Sequence, residues 1–146
     1  MRVRVVLDTN VVLAALLWRG RPYELFSVAL AGKLQCFASD ALTGELDRVL
    51  GYARFARRIA SLNTTIVQLV ADYRALVEIV PAADITPTVL ADPDDDHVLA
   101  CAIAAGAELI VSGDAHLLNL KRFHGIDIVN TAEAWQRFEC ESEVRK

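Results

Sequence analysis

With 146 residues, 54% of them hydrophobic, and no Gly/Ser/Pro-rich linker, the sequence specifies one folded domain with a core of its own, neither two domains nor a disordered chain. No apolar run reaches the length of a membrane span or a signal-peptide core, and the three scattered cysteines show no CxxC spacing, so the expectation is a cytoplasmic protein with reduced thiols. The net charge of −4 argues at first against nucleic acid, but four acids gathered at one site would leave the remainder neutral, so a phosphate substrate is not excluded.

Val3 to Leu7 is a β-branched apolar run, read as a buried parallel strand, and it stops at Asp8-Thr9-Asn10. A helix from Val11 to Leu17 follows, broken by Trp18-Arg19-Gly20-Arg21-Pro22 and resumed from Tyr23 to Ala31. Leu34 to Ala38 reads as a second strand. Ser39-Asp40 starts a helix with Leu42, Leu46, Val49 and Leu50 as its apolar stripe, and Glu45 borders that stripe. A short basic helix covers Tyr52 to Ala60, and a longer amphipathic one runs from Thr64 to Leu76. Val77 to Val80 is a third strand, and Ala82 to Thr88 is loop.

Then comes Ala91-Asp92-Pro93-Asp94-Asp95-Asp96-His97, opening an apolar helix to Ala105 with Gly106 as its stop. Like charges this crowded cost on the order of 3–4 kcal/mol per pair at a dielectric of roughly 20, unless water or a cation screens them. Glu108 to Val111 is a fourth strand running into Ser112-Gly113-Asp114. One or two helical turns from Ala115 to Leu120 follow, then a last strand at Ile126 to Val129. Thr131 is read as the cap of a final helix, and residues 1–138 as a single domain with a charged tail from Glu139 to Lys146. The fold class is α/β: a central parallel sheet of four to five strands sandwiched by helices.

In such sheets functional groups gather beyond the carboxyl ends of the strands. Asp8, Glu45, Asp96 and Asp114 can all be placed at one rim. Singly, each has an ordinary reading: Asp8 as a helix cap, Glu45 as a surface acid, Asp114 as a turn residue, the Asp run as a solvated helix start. Together they suit Mg²⁺ or Mn²⁺, which take oxygen ligands and retain waters. A calcium loop fails on His97 and Ile103, which stand where glycine and an acid are needed. No GxGxxG, GxxxxGK[ST] or GxSxG occurs, and His97, His116 and His124 lack zinc-site spacing.

Leu7-Asp8-Thr9-Asn10, Gly44-Glu45-Leu46, Asp96-His97-Val98-Leu99-Ala100 and Ser112-Gly113-Asp114 resemble, in order and spacing, the PIN-domain family of metal-dependent ribonucleases. The run from Asp92 to His97, with Ser112-Gly113-Asp114-Ala115-His116-Leu117-Leu118, is similar to a bacterial branch described as toxins of toxin–antitoxin systems. The resemblance implies one or two Mg²⁺ or Mn²⁺ ions and cleavage of single-stranded RNA by a metal-activated water. It implies Asp8, Asp96 and Asp114 as ligands and Glu45 as a ligand or water-orienting group. Thr9, Asn10 and Ser112 would hold the carboxylates, with Asp94 a candidate beside them.

Arg19, Arg21, Arg54, Arg58 and His97 are candidates to meet the RNA, with Arg48 and Arg57 in the same basic segment; the ordinary reading is a solvated face. An antitoxin and a second copy of the chain are the expected protein partners, with the helices near Trp18 and Tyr23 and the one from Thr64 to Leu76 as candidate contacts. No membrane partner is expected. The competing readings are a haloacid-dehalogenase-like phosphohydrolase, weakened by Asn10 standing where a second Asp is usual, and a non-catalytic partner-binding domain.

Overall fold

The computed structural model describes residues 2–18, 20–89 and 94–144. Five strands run parallel in one sheet: β1 (Val3–Leu7), β2 (Leu34–Ala38), β3 (Val77–Ile79), β4 (Leu109–Val111) and β6 (Ile126–Val129). A sixth, β5 (Arg122–Phe123), lies antiparallel to β6 at the edge. The order β3-β2-β1-β4-β6-β5 places β1 in the middle. From β1 the chain winds outward through β2 and β3, then crosses back to β4 on the other side. The boundary between β1 and β4 is therefore the switch point of the sheet.

Helices α1 (Thr9–Leu17), α2 (Gly20–Leu30), α3 (Asp40–Leu50), α4 (Ala56–Ser61), α5 (Ile66–Leu76), α6 (Asp94–Ala105), α7 (Ala115–Leu118) and α8 (Thr131–Val144) complete the chain, with a 3₁₀ turn at Ala53–Phe55. β1 and β4 end as fully buried triplets, Val5-Val6-Leu7 and Leu109-Ile110-Val111, as the apolar runs require. In α3, Ser39 caps the helix by accepting from the Leu42 N–H at 3.3 Å, and Leu42, Leu46 and Leu50 are buried. In α5, Thr65 caps at Gln68 N–H, and Leu69 and Tyr73 face the core.

Four features differ from the sequence expectation. α2 already begins at Gly20, inside the stretch read as a break, with Pro22 in its first turn, where a missing N–H costs nothing. β5 was not expected; it closes a hairpin through His124 and Gly125, both with positive φ (49° and 80°), as a two-residue turn of this kind demands. The cap of α8 is Asn130, not Thr131: its Oδ1 accepts from Glu133 N–H at 2.8 Å while the Glu133 carboxylate accepts from Asn130 N–H at 3.2 Å. Finally, α8 continues to Val144, past the Glu139 at which a tail was expected. Among the described residues no helix is long and apolar enough to cross a membrane.

Candidate metal centre

The parallel register pairs Leu7 with Val111, and the Asp8 N–H donates to the Val111 carbonyl at 2.9 Å. The residues that follow the two strands, Asp8 and Ser112, are thereby side by side at the switch point. Asp8 stands at the cap position of α1, but its side chain makes no cap hydrogen bond. Its Oδ2 instead accepts from the Ser112 hydroxyl at 2.7 Å, and the same hydroxyl oxygen accepts from the Asp114 N–H at 2.9 Å. Ser112, fully buried, thus ties one acid to the backbone of the other. Asp114 does both things the sequence allowed: its Oδ1 caps the short α7 through the His116 N–H at 2.8 Å, and its carboxylate joins the cluster.

The third member is Asp95. One carboxylate oxygen from each of Asp8, Asp95 and Asp114 lies within 4.8 Å of the others. Asp8 and Asp95 are each only 4% exposed. The sequence pointed to Asp96 at this position, and the structure brings Asp95 to the cluster instead. The Asp96 carboxylate turns to the preceding loop and accepts from Thr88 N–H at 3.1 Å and Val89 N–H at 2.8 Å.

The physical reason is the character of α6. Val98, Leu99, Ala100, Cys101, Ala102 and Ala105 are all buried, so the helix has no single apolar stripe from which to set its phase. In the fold the row Asp95, Val98, Leu99, Ala102 is more deeply buried than the row Asp96, Leu99, Ala100, Ile103, whose last member is half-exposed, but the two rows are equally apolar in sequence.

Glu45 stands beside this group and not within it. It is half-buried on α3, and its Oε2 accepts from the Thr9 hydroxyl at 3.1 Å. Burial raises its pKa, the charges of Asp94 and Asp8 add to the rise, and the Thr9 hydrogen bond and Arg48 oppose it. Thr9, buried at the start of α1, holds the Glu45 carboxylate by that hydrogen bond. Asn10 is exposed on α1. Asp94 sits at the rim, where Arg48 meets its Oδ2 at 3.4 Å. His97 is exposed on α6.

Of the basic candidates, Arg58 is spent within the fold, its Nε donating to the Leu17 carbonyl at the end of α1. The Arg54 guanidinium lies over Tyr52 and Phe55. Arg19 lies outside the described residues, as do Asp92 and the side chain of Arg21.

Carboxylate oxygens alone suit a hard divalent cation such as Mg²⁺ or Mn²⁺. The donor set therefore fits the metal that the sequence implies.

No curated protein matches this sequence. Among solved structures, a chain in the crystal structure of VapBC2 from Rickettsia felis, bound to a DNA fragment from their promoter, superimposes with a TM-score of 0.60. The two are 15% identical over 87% of this chain and 98% of that one, a likeness of fold. A sequence model of the PIN domain matches residues 4–116, from the first strand through the acid that follows β4. The chain belongs to the PIN-domain family.

Proposed function

We propose that the protein is a Mg²⁺- or Mn²⁺-dependent endoribonuclease that cuts single-stranded RNA. One observation carries the reading: acids from three separate segments, Asp8, Asp95 and Asp114, put oxygens within 4.8 Å of one another with two of the three nearly sealed from water. At that spacing each pair costs about 3–4 kcal/mol at an effective dielectric of roughly 20, which a bound divalent cation would reverse.

Asp8, Asp95 and Asp114 would hold the ion, and Ser112 keeps the Asp8 carboxylate and the Asp114 backbone in register. When bound, the ion makes a water a better nucleophile and offsets charge at the phosphodiester. Glu45, tethered by Thr9 and with its pKa raised, is suited to accept a proton from water at the edge of the cluster. We further propose that the protein is the toxin of a toxin–antitoxin pair, with an antitoxin and a second copy of the chain as its partners. The resemblance of the Asp92–His97 and Ser112–Leu118 segments to such toxins supports this, as does the fold shared with a chain of the VapBC2 complex.

The test is cleavage of single-stranded RNA with Mn²⁺ or Mg²⁺, with and without EDTA. Asp8→Asn, Asp95→Asn and Asp114→Asn are each expected to lose roughly 100-fold or more in rate. Asp96→Asn, which keeps an acceptor oxygen for the loop, is expected to retain most activity. Equal loss in Asp95→Asn and Asp96→Asn would remove the assignment of Asp95, and unchanged cleavage in EDTA would remove the metal.

A further inference from the structure

A second surface starts at the rim of the acid cluster. Arg48 on α3 meets Asp94 at 3.4 Å, and Tyr52 follows the end of the same helix. The Arg54 guanidinium lies 5.3 Å from the Tyr52 ring centroid and 4.8 Å from that of Phe55. Phe55 in turn meets Trp18 edge-on, with centroids 5.8 Å apart at 67°. Phe55 is buried, but Trp18 is 53% exposed and Tyr52 41% exposed. The main chain beneath Trp18 is anchored, because its backbone N–H closes α1 on the Ala14 carbonyl and Arg58 grips the adjacent Leu17 carbonyl at 2.6 Å.

Two large aromatic faces open to water with a guanidinium laid over one of them make neither a core nor an ordinary charged surface. They are held in place before any ligand arrives, which lowers the ordering cost of binding. Every nucleobase has a π-face, and an arginine already lying on a ring presents positive charge to the phosphate that links two bases. The acid cluster repels phosphate, so a strand cut there needs positive and stacking contacts beside it. Arg48, Arg54 and the exposed Arg57 supply charge of that sign.

We propose that Trp18, Tyr52 and Arg54 form a stacking platform for unpaired bases of the RNA strand that reaches the acid cluster. The proposal rests on the ribonuclease reading and extends it: the platform selects single-stranded over paired RNA, with little preference among bases.

The experiment measures binding of a fluorescein-labelled single-stranded RNA of about 12 nucleotides to the full chain in Ca²⁺, by anisotropy. Trp18→Ala and Arg54→Ala are each expected to weaken binding about tenfold, and Trp18→Phe to stay near the intact protein. The losses should shrink on an RNA of the same length whose sugars carry no bases. Mn²⁺ affinity by calorimetry should be the same in all variants, which shows that the fold and the acid cluster are intact. Intact-protein affinity in both alanine variants would overturn the platform and leave the ribonuclease reading standing. An equal loss on the base-free strand would overturn stacking. If the intact chain neither binds nor cuts RNA, both readings fall. Variants that keep RNA affinity but change the oligomeric state would mark a contact between copies and overturn the proposal.

Discussion

A single hydroxyl decides how the acids of this protein are presented. Ser112 donates to Asp8 and accepts from the Asp114 backbone, so its loss removes one hydrogen bond from the Asp8 carboxylate and unpins the turn that carries Asp114. Ser112→Ala is expected to lower Mn²⁺ affinity about 10–100-fold, measured by calorimetry, with the fold retained. Asp96 acts differently. Its carboxylate satisfies two backbone N–H groups ahead of α6, and Asp96→Ala leaves both without that acceptor. The expected cost is about 1–3 kcal/mol in urea unfolding, with metal affinity little changed. The thiols are simpler. Burial pushes Cys36 up to about 12 and Cys101 to about 11, so neither forms a thiolate near neutrality. Both should resist a disulfide-exchange reagent in the folded protein and react on unfolding.

At the scale of elements, the sequence was legible wherever hydrophobicity changed abruptly. β1 and β4 are short apolar runs that stop at an acid and at Ser112, so the strand ends and two of the three clustered acids could be read directly. α3 and α5 have clear stripes and side-chain caps. α6 defeated the same method because it is buried almost all round, and an error of one residue there exchanged a cluster acid for a loop anchor. β5 escaped because two residues carry no periodicity, and its turn depends on His124 adopting a left-handed backbone.

That small hairpin also holds a charge device. Asp127 on β6 accepts from Arg122 of β5 at 2.8 Å and from Arg137 of α8 at 3.3 Å, chiefly lowering its pKa through the Arg122 hydrogen bond. A lowered carboxylate pKa contributes stability above the ordinary carboxylate range and loses it as pH falls through that range toward the folded value. Asp127→Asn should therefore flatten the acid side of the melting-temperature profile between neutrality and about pH 3. The effect is modest, because the group is open to solvent.

For the whole molecule, the proposed metal centre predicts that a bound cation would offset the repulsion among the clustered acids. At a hundred times its dissociation constant, Mn²⁺ would stabilise the folded chain by about 2.7 kcal/mol. For a domain of this size that corresponds to a rise of roughly 2–4 °C per kcal/mol in a thermal melt. The rise should disappear in Asp8→Asn and persist in Asp96→Asn.

The adjacency of β1 and β4 has a temporal consequence. Asp8 meets Asp95 and Asp114 only after the chain has passed through β2 and β3 and doubled back to the other side of β1. A growing chain that has built β1, β2 and β3 is a half-sheet with one cluster acid in hand. Whatever chemistry the centre performs is withheld until β4 docks.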